Sequence, residues 1–296
     1  MTTAKRYELV ADDTVTDPFG RKLFRIRALV AMAAIGVAVG DLGGYVQAEA
    51  NLSRVSGNAW VYGDARVYGD AQVSGDAQVY GNARVSGDAR VYGDARVYGD
   101  ARVSGDAQVY GDAQVYGNAR VYGDAQVYGD ARVSGNARVS GNAQVYGDAR
   151  VYGDAQVYGD AQVYGDAQVY GNAWVYGDAQ VYGDAQVYGD ARVSGNARVS
   201  GDAQVYGNAW VYGDAQVYGN AQVSKFFPMA VRSDRYTFIL VPVEKDYPRV
   251  IAGCRYFTVT EYRAHVLTYR DPKKTAETVL ILDFLEAQAA LLADGE

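Results

Sequence analysis

Side chains able to carry covalent or metal chemistry are scarce in this chain: one cysteine, Cys254, and one histidine, His265, among 296 residues. Brought together they would make a nucleophile and its base, but nothing in their spacing makes them meet. His265 falls inside an expected helix, where a packed or surface imidazole is the simpler reading. Cys254 follows an expected strand and reads as a small core residue. A zinc site needs three or four thiolate, imidazole or carboxylate ligands, and these two residues do not supply a soft cluster. No catalytic residue, no metal site and no cofactor is therefore assigned. A lone cysteine also excludes an intrachain disulfide framework, so folding does not depend on an oxidising compartment.

Two other sets of polar residues are abundant. From Val55 to Gln222 the chain is an unbroken array of 28 hexads, V-[YS]-G-[DN]-A-[RQW], without an insertion or deletion. Each hexad places one Asx after a glycine, 19 Asp and nine Asn in all. Repeated Gly-Asp phrases bind calcium in nonapeptide β-rolls, but a six-residue phrase with one Asx per corner reads as a solvated turn. The other set is the slot before each valine, which holds only Arg, Gln or Trp. Arg and Trp, with Tyr, are enriched at interface hot spots, so this slot is where recognition is sought.

The elements that must position these residues follow from the hexad itself. In Ala65-Arg66-Val67-Tyr68, alternation along a strand puts Ala and Val on one face and Arg and Tyr on the other. Glycine then accepts positive φ, and Asx bonds locally in turns. Each hexad thus predicts a four-residue strand and a corner, with an interior of only Val and Ala. Reversed Gly-Asx dipeptides and such short strands suit a coiled solenoid, in which identical neighbours bury each other's apolar faces, better than a hairpin meander.

The variable slot sets the number of hexads per coil. Arg66, Arg84, Arg102, Arg120 and Arg138 stand 18 residues apart, and the same register continues as Gln156, Trp174, Arg192 and Trp210. The register from Gln72 holds seven Gln and two Arg, and the third holds six Gln, three Arg and Trp60. An 18-residue period means three strands per coil and a triangular cross-section. Arg66, Arg84, Arg102, Arg120, Arg138, Trp174, Arg192 and Trp210 are the candidate binding face. A purely structural reading stands beside it. The corner column before this face holds four Asp and five Asn, whereas the other two columns hold 15 Asp between them. Stacked like charges repel, so Asn and nearby Arg would relieve an Asp ladder.

These hexads resemble the left-handed parallel β-helix of hexapeptide-repeat proteins, with an aliphatic residue at the inward position and a small one two before it. The resemblance supplies the handedness, and 28 hexads would make about nine coils, roughly 45 Å at one strand spacing per coil. Phe24–Leu29 (FRIRAL), Gly40–Val46 (GDLGGYV) and Glu49–Ser53 (EANLS) look like the N-terminal phrases of a group of bacterial and phage hexapeptide-repeat proteins. That resemblance implies the fold and a cap, and little about activity. Acyltransferases on this fold use a histidine base near the coils and often a protruding loop. Here no histidine and no loop interrupts residues 55–222, and carbonic anhydrases on the fold need three histidines.

Outside the array, residues 1–54 read as a capping segment and residues 225–296 as an α+β domain. Arg235–Val243 and Arg249–Ala252 predict strands. The Thr258–Glu261 capping box predicts a helix through about Leu267, and a second helix is expected over Lys273–Leu292 with Val279, Leu282, Leu285 and Ala289 inward. The one long apolar run, Ala28–Gly40, is too short to span a bilayer and too deep in the chain for a usual signal; it reads as a buried strand or helix. The chain carries a net charge of -7, with a sum of -8 in the array, which argues against nucleic acid as a partner.

The expectation is a mainly β protein acting as a non-catalytic rigid scaffold or interaction module, of phage or mobile-element origin. Its partner would be a protein or a glycan, or a second copy, with no membrane. The expected location is cytoplasmic, with a secreted or virion-associated protein as the alternative. An acyltransferase-like enzyme and a glycan-binding rod are the competing functions.

Overall fold

In the computed structural model the described residues are 5–17, 19–53, 57–224, 229–243, 246–252 and 255–293, and they fall into two compact units, Met1–Asp166 and Ala167–Glu296. In the first unit the alternation of the hexad becomes a parallel β-solenoid. From Val61 to Val163 every valine and alanine of the array is at most 1% exposed. The outward Arg, Gln and Tyr are exposed or half-buried, apart from Tyr68.

Three parallel sheets form the sides. One stacks the strands that start at Arg66, Arg84, Arg102, Arg120, Arg138 and Gln156; the second starts at Trp60 and the third at Gln72, each again one strand per 18 residues. The regular strands are two residues long, as in Arg66–Val67, against the four expected. Interstrand bonding nevertheless reaches the next residue, since Arg66 donates to Ala83 (2.9 Å) and Tyr68 to Val85 (3.0 Å). The corner takes the rest. Gly105 sits at φ 70°, and a Cβ there would lie 3.0 Å from the amide nitrogen of Gly123 one coil on, so both conformation and stacking demand glycine.

The N-terminal segment closes this unit. Strands β1 (Tyr7–Thr16), β2 (Lys22–Ala28) and β3 (Leu42–Val46) pair antiparallel in order. β3 then runs parallel to Arg66–Val67, with Tyr45 opposite Arg66. Trp60, grouped by its slot with outward residues, is 1% exposed. It meets the Tyr7 ring edge-on at 6.5 Å, and the Tyr7 hydroxyl is shared between the carbonyls of Glu49 and Leu52. A large side chain is available there because the first coil has a cap above it, not another valine row. Buried Asn51 donates to the carbonyls of Gly69 and Ala71, both at 2.9 Å, and satisfies first-coil acceptors.

The expected buried element over Ala28–Gly40 does not form. A 3-10 turn, Ala33–Ile35, sits inside a loop closed by backbone bonds between Met32 and Val37. Only Ala28, Met32 and Val37 of the run are buried. Gly36 and Gly40 are at φ 69° and 88°, which breaks the run despite its hydropathy.

In the second unit the array continues from Gln168–Val169 to Gln222–Val223 with the same three-sided stacking. Strands Met229–Val231, Thr237–Val243, Asp246–Ala252 and Arg255–Thr258 form an antiparallel sheet, followed by α1 (Val259–Val266) and α2 (Pro272–Ala293). Phe238, Leu240, Val250, Val259, Tyr262, Val266, Leu282 and Leu285 make its core, with Val279 and Ala289 packed at the edge. The expected strand at 235–243 begins instead at Thr237, because Arg235 takes φ 67° and donates to the carbonyl of Arg232 in a tight turn. The second strand starts three residues earlier than expected, and the sheet has two further strands that the sequence does not signal. α1 starts where the capping box puts it: the Thr258 hydroxyl accepts from the Glu261 amide, and the Glu261 carboxylate accepts from the Thr258 amide. Cys254 lies outside the described residues. No helix among the described residues is long and apolar enough to cross a membrane.

Candidate interaction face

The candidate residues are positioned by strand pairing in exact 18-residue steps. In the first unit Arg66 pairs with Arg84, Arg84 with Arg102, Arg102 with Arg120 and Arg120 with Arg138, so five guanidiniums rise in one column. Arg102, Arg120 and Arg138 are exposed, while Arg66 and Arg84 nearer the cap are half-buried. Among the described residues no ion pair joins an array Arg to an array Asp. In the second unit Trp174 pairs with Arg192 and Arg192 with Trp210. The Arg192 guanidinium lies 5.1 Å from the Trp174 ring centroid, a cation–π contact. Trp210 is 42% exposed and donates from its indole N–H to Ser194 at 3.2 Å.

Serine in place of tyrosine at Ser86, Ser104 and Ser140 lowers the surface beside the first unit's Arg column, with Tyr122 standing exposed among them. The neighbouring faces are tall and aromatic. Tyr92, Tyr110, Tyr128, Tyr146 and Tyr164 stack at 4.8–4.9 Å with rings within 3° of parallel, and Tyr80, Tyr98 and Tyr116 stack at 4.7–4.8 Å in the same way. Their phenols donate to the glutamine one coil on: Tyr92 to Gln108, Tyr98 to Gln114, Tyr128 to Gln144. Burial against the rings above and below pushes these phenols above their ordinary pKa. Sequence reasoning placed the tyrosines but missed this Tyr–Gln bonding; the constant 16-residue offset between the two types was the available signal.

The corners show how asparagine acts. Asn118 donates to Asn136 (3.2 Å) and Asn136 to Asp154 (2.9 Å), all three in the corner column before the Arg strands. An amide between carboxylates replaces a repulsion with a hydrogen bond. In the C-terminal sheet domain, His265 is half-buried among Phe257, Tyr262 and Tyr269, with ring centroids 5.5–5.9 Å away. Arg232 is 7% exposed, bonded to Asp234 and Thr278 and faced by the Tyr236 and Phe238 rings. Asp234 is held well below the ordinary carboxylate range by hydrogen bonds from Arg232 first and Lys274 next. This is a packed ionic centre that ties the sheet to α2. Among the described residues no group of three or more His, Cys, Asp or Glu converges as a metal site.

With this geometry the chain resembles two families. Residues 167–183, 185–201 and 203–219 match the YdcK beta solenoid repeat; the matches begin 18 residues apart, the same step as the coil. Neither match carries any indication of phage origin. No curated protein matches the chain. Residues 49–173 match the bactofilin family, described as polymer-forming cytoskeletal, so the chain is a repeat β-solenoid whose sequence is similar over that stretch to proteins that polymerise.

Proposed function

We propose that this protein is a non-catalytic structural scaffold, a rigid hexapeptide-type β-solenoid of left-handed coil that associates with copies of itself. In this reading residues 55–224 are the solenoid, residues 1–54 its cap and residues 225–296 a separate α+β domain. The observation that carries the reading is the uniformity of the array: a Val/Ala interior closed at every coil and outward residues held in straight columns. Such a surface offers the same kind of contact again at every coil. Its similarity to a polymer-forming cytoskeletal family supports self-association as the use, and with the single cysteine supports a cytoplasmic location.

Electron microscopy and sedimentation of the purified full chain test this. Ordered assemblies are expected at micromolar protein. A strictly monomeric chain that turns over acetyl-CoA, with turnover abolished by His265→Ala, would replace the scaffold with the acyltransferase-like enzyme. A glycan-binding rod is the second reading, favoured by the open indole of Trp210. It predicts glycan-array signals that Trp210→Ala and Trp174→Ala remove.

A further inference from the structure

The three-sided coil of the first unit sets a column of Arg opposite an unbroken column of Asp. The Arg column occupies one face. The corner joining the other two faces, and so the vertex opposite that column, carries Asp76, Asp94, Asp112, Asp130 and Asp148 at successive coils, then Asp166. This is the one corner of the unit that, after Asn58, has no asparagine. Asp94 through Asp166 are exposed. Among the described residues none of Asp94, Asp112, Asp130 and Asp148 accepts a side-chain hydrogen bond or an ion pair, although Arg96 and Arg132 stand beside the column.

Each column repels itself. Successive coils are spaced as the stacked tyrosines are, 4.8 Å between Tyr98 and Tyr116, and unpaired like charges at that separation disfavour both ladders. The two ladders have the same repeat, one charge per coil, because one backbone sets both. A carboxylate ladder laid against a guanidinium ladder therefore meets a partner at every coil without any adjustment of pitch.

Two corners flank the Arg column. The one before it carries Asp64, Asn82, Asp100, Asn118, Asn136 and Asp154, so half its carboxylates are replaced by amides, and the one after it carries Asp70, Asp88, Asp106, Asp124, Asn142 and Asp160. The amide-bearing side is the one that suits such a contact. Ser86, Ser104 and Ser140 leave room on the face, with Tyr122 standing between Ser104 and Ser140.

We infer that the Arg face of this unit, centred on Arg84, Arg102, Arg120 and Arg138, docks the Asp94–Asp166 corner of a second copy of the chain. The interface is side by side. It joins two different surfaces on opposite sides of the coil, so each copy keeps a free surface of either kind and the contact can propagate laterally. The inference rests on the self-association proposed above and adds which surfaces meet.

The test is sedimentation velocity of the full chain at low and high salt. It compares wild type with R84Q/R102Q/R120Q and with D94N/D112N/D130N. Gln156 already occupies the same Arg column and asparagine the same corner slot elsewhere, so both variants keep residues the coil accommodates, and circular dichroism and melting confirm folding. Wild type is expected to associate at low salt and dissociate toward monomer near 1 M salt, where screening acts within about 3 Å. Each variant alone is expected to associate about tenfold more weakly or worse, three charge pairs having been removed. A mixture of the two variants is expected to recover association that stops at dimers, since the intact Asp ladder of one meets the intact Arg ladder of the other. Wild-type assembly that the variants leave unchanged, or that salt strengthens, overturns this interface and leaves the scaffold reading standing. A wild type monomeric at low salt overturns both.

Discussion

At the scale of single residues, glycine carries the hardest constraint in the array. Gly105 combines φ 70° with the amide of Gly123 only 3.0 Å from where a Cβ would stand, whereas Gly213 has φ 65° with nothing within 4 Å. Both sites disfavour an L-residue in the left-handed region, by about 1–2 kcal/mol, and only Gly105 adds a steric clash with backbone. Gly105→Ala is therefore expected to lower stability in chemical denaturation by more than Gly213→Ala; equal losses would show that conformation alone selects glycine. The Gly-Asx corner is legible in the sequence because its chemistry is local. Trp60 is not, since its slot is outward in every other hexad, and only the packing of β1 and Tyr7 against the first coil turns it into core. The run from Ala28 to Gly40 misleads for the same reason in reverse: its hydropathy suggests burial, and two glycines in the left-handed region make it a loop.

At the scale of elements, the tyrosine columns hold neighbouring coils together through ring stacking and through phenol bonds to glutamine. Their pKa values are raised by burial, with neighbouring phenolates adding to the effect at Tyr98 and Tyr128. A raised pKa means the folded state holds its proton where the unfolded chain, titrating near pH 10, has lost it. The stabilisation is then fully present below pH 10 and is lost as pH rises through the folded-state values. Melting temperature is expected to hold from pH 8 to about 9.5 and to fall beyond pH 10, with Tyr110→Phe and Tyr128→Phe together flattening the fall. A decline already complete by pH 9 would assign the transition to other groups. Strand period, coil period and the α1 cap can be read directly, because each is written in spacing. The sheet following the array is half legible: Thr237–Val243 and Asp246–Ala252 carry apolar runs, whereas Met229–Val231 and Arg255–Thr258 are short and owe their pairing to the neighbours they add to.

At the scale of the whole molecule, the array separates the residues that fold it from the residues that vary. The interior is the same Val and Ala at every hexad, so the core does not record which face a hexad belongs to; only the outward columns do. Removing residues 103–120 deletes one full coil and leaves Arg66, Arg84, Arg102 and Arg138 in one column. Removing only residues 103–108 keeps every inward contact of the same type but rotates all later hexads by one face. Gln126 and Gln144 would then continue the column of Arg102, and Arg120 and Arg138 would move to the neighbouring face. Nearest-neighbour energetics of repeat arrays predict similar β-content and melting for the two deletions. Their assembly should differ: the 18-residue deletion keeps most of the low-salt association, and the six-residue deletion falls to the level of R84Q/R102Q/R120Q. If the six-residue deletion unfolds, the outward ladders and not the Val/Ala interior hold the coils in place. If it folds and associates like wild type, straight charge columns are not what joins one copy to the next.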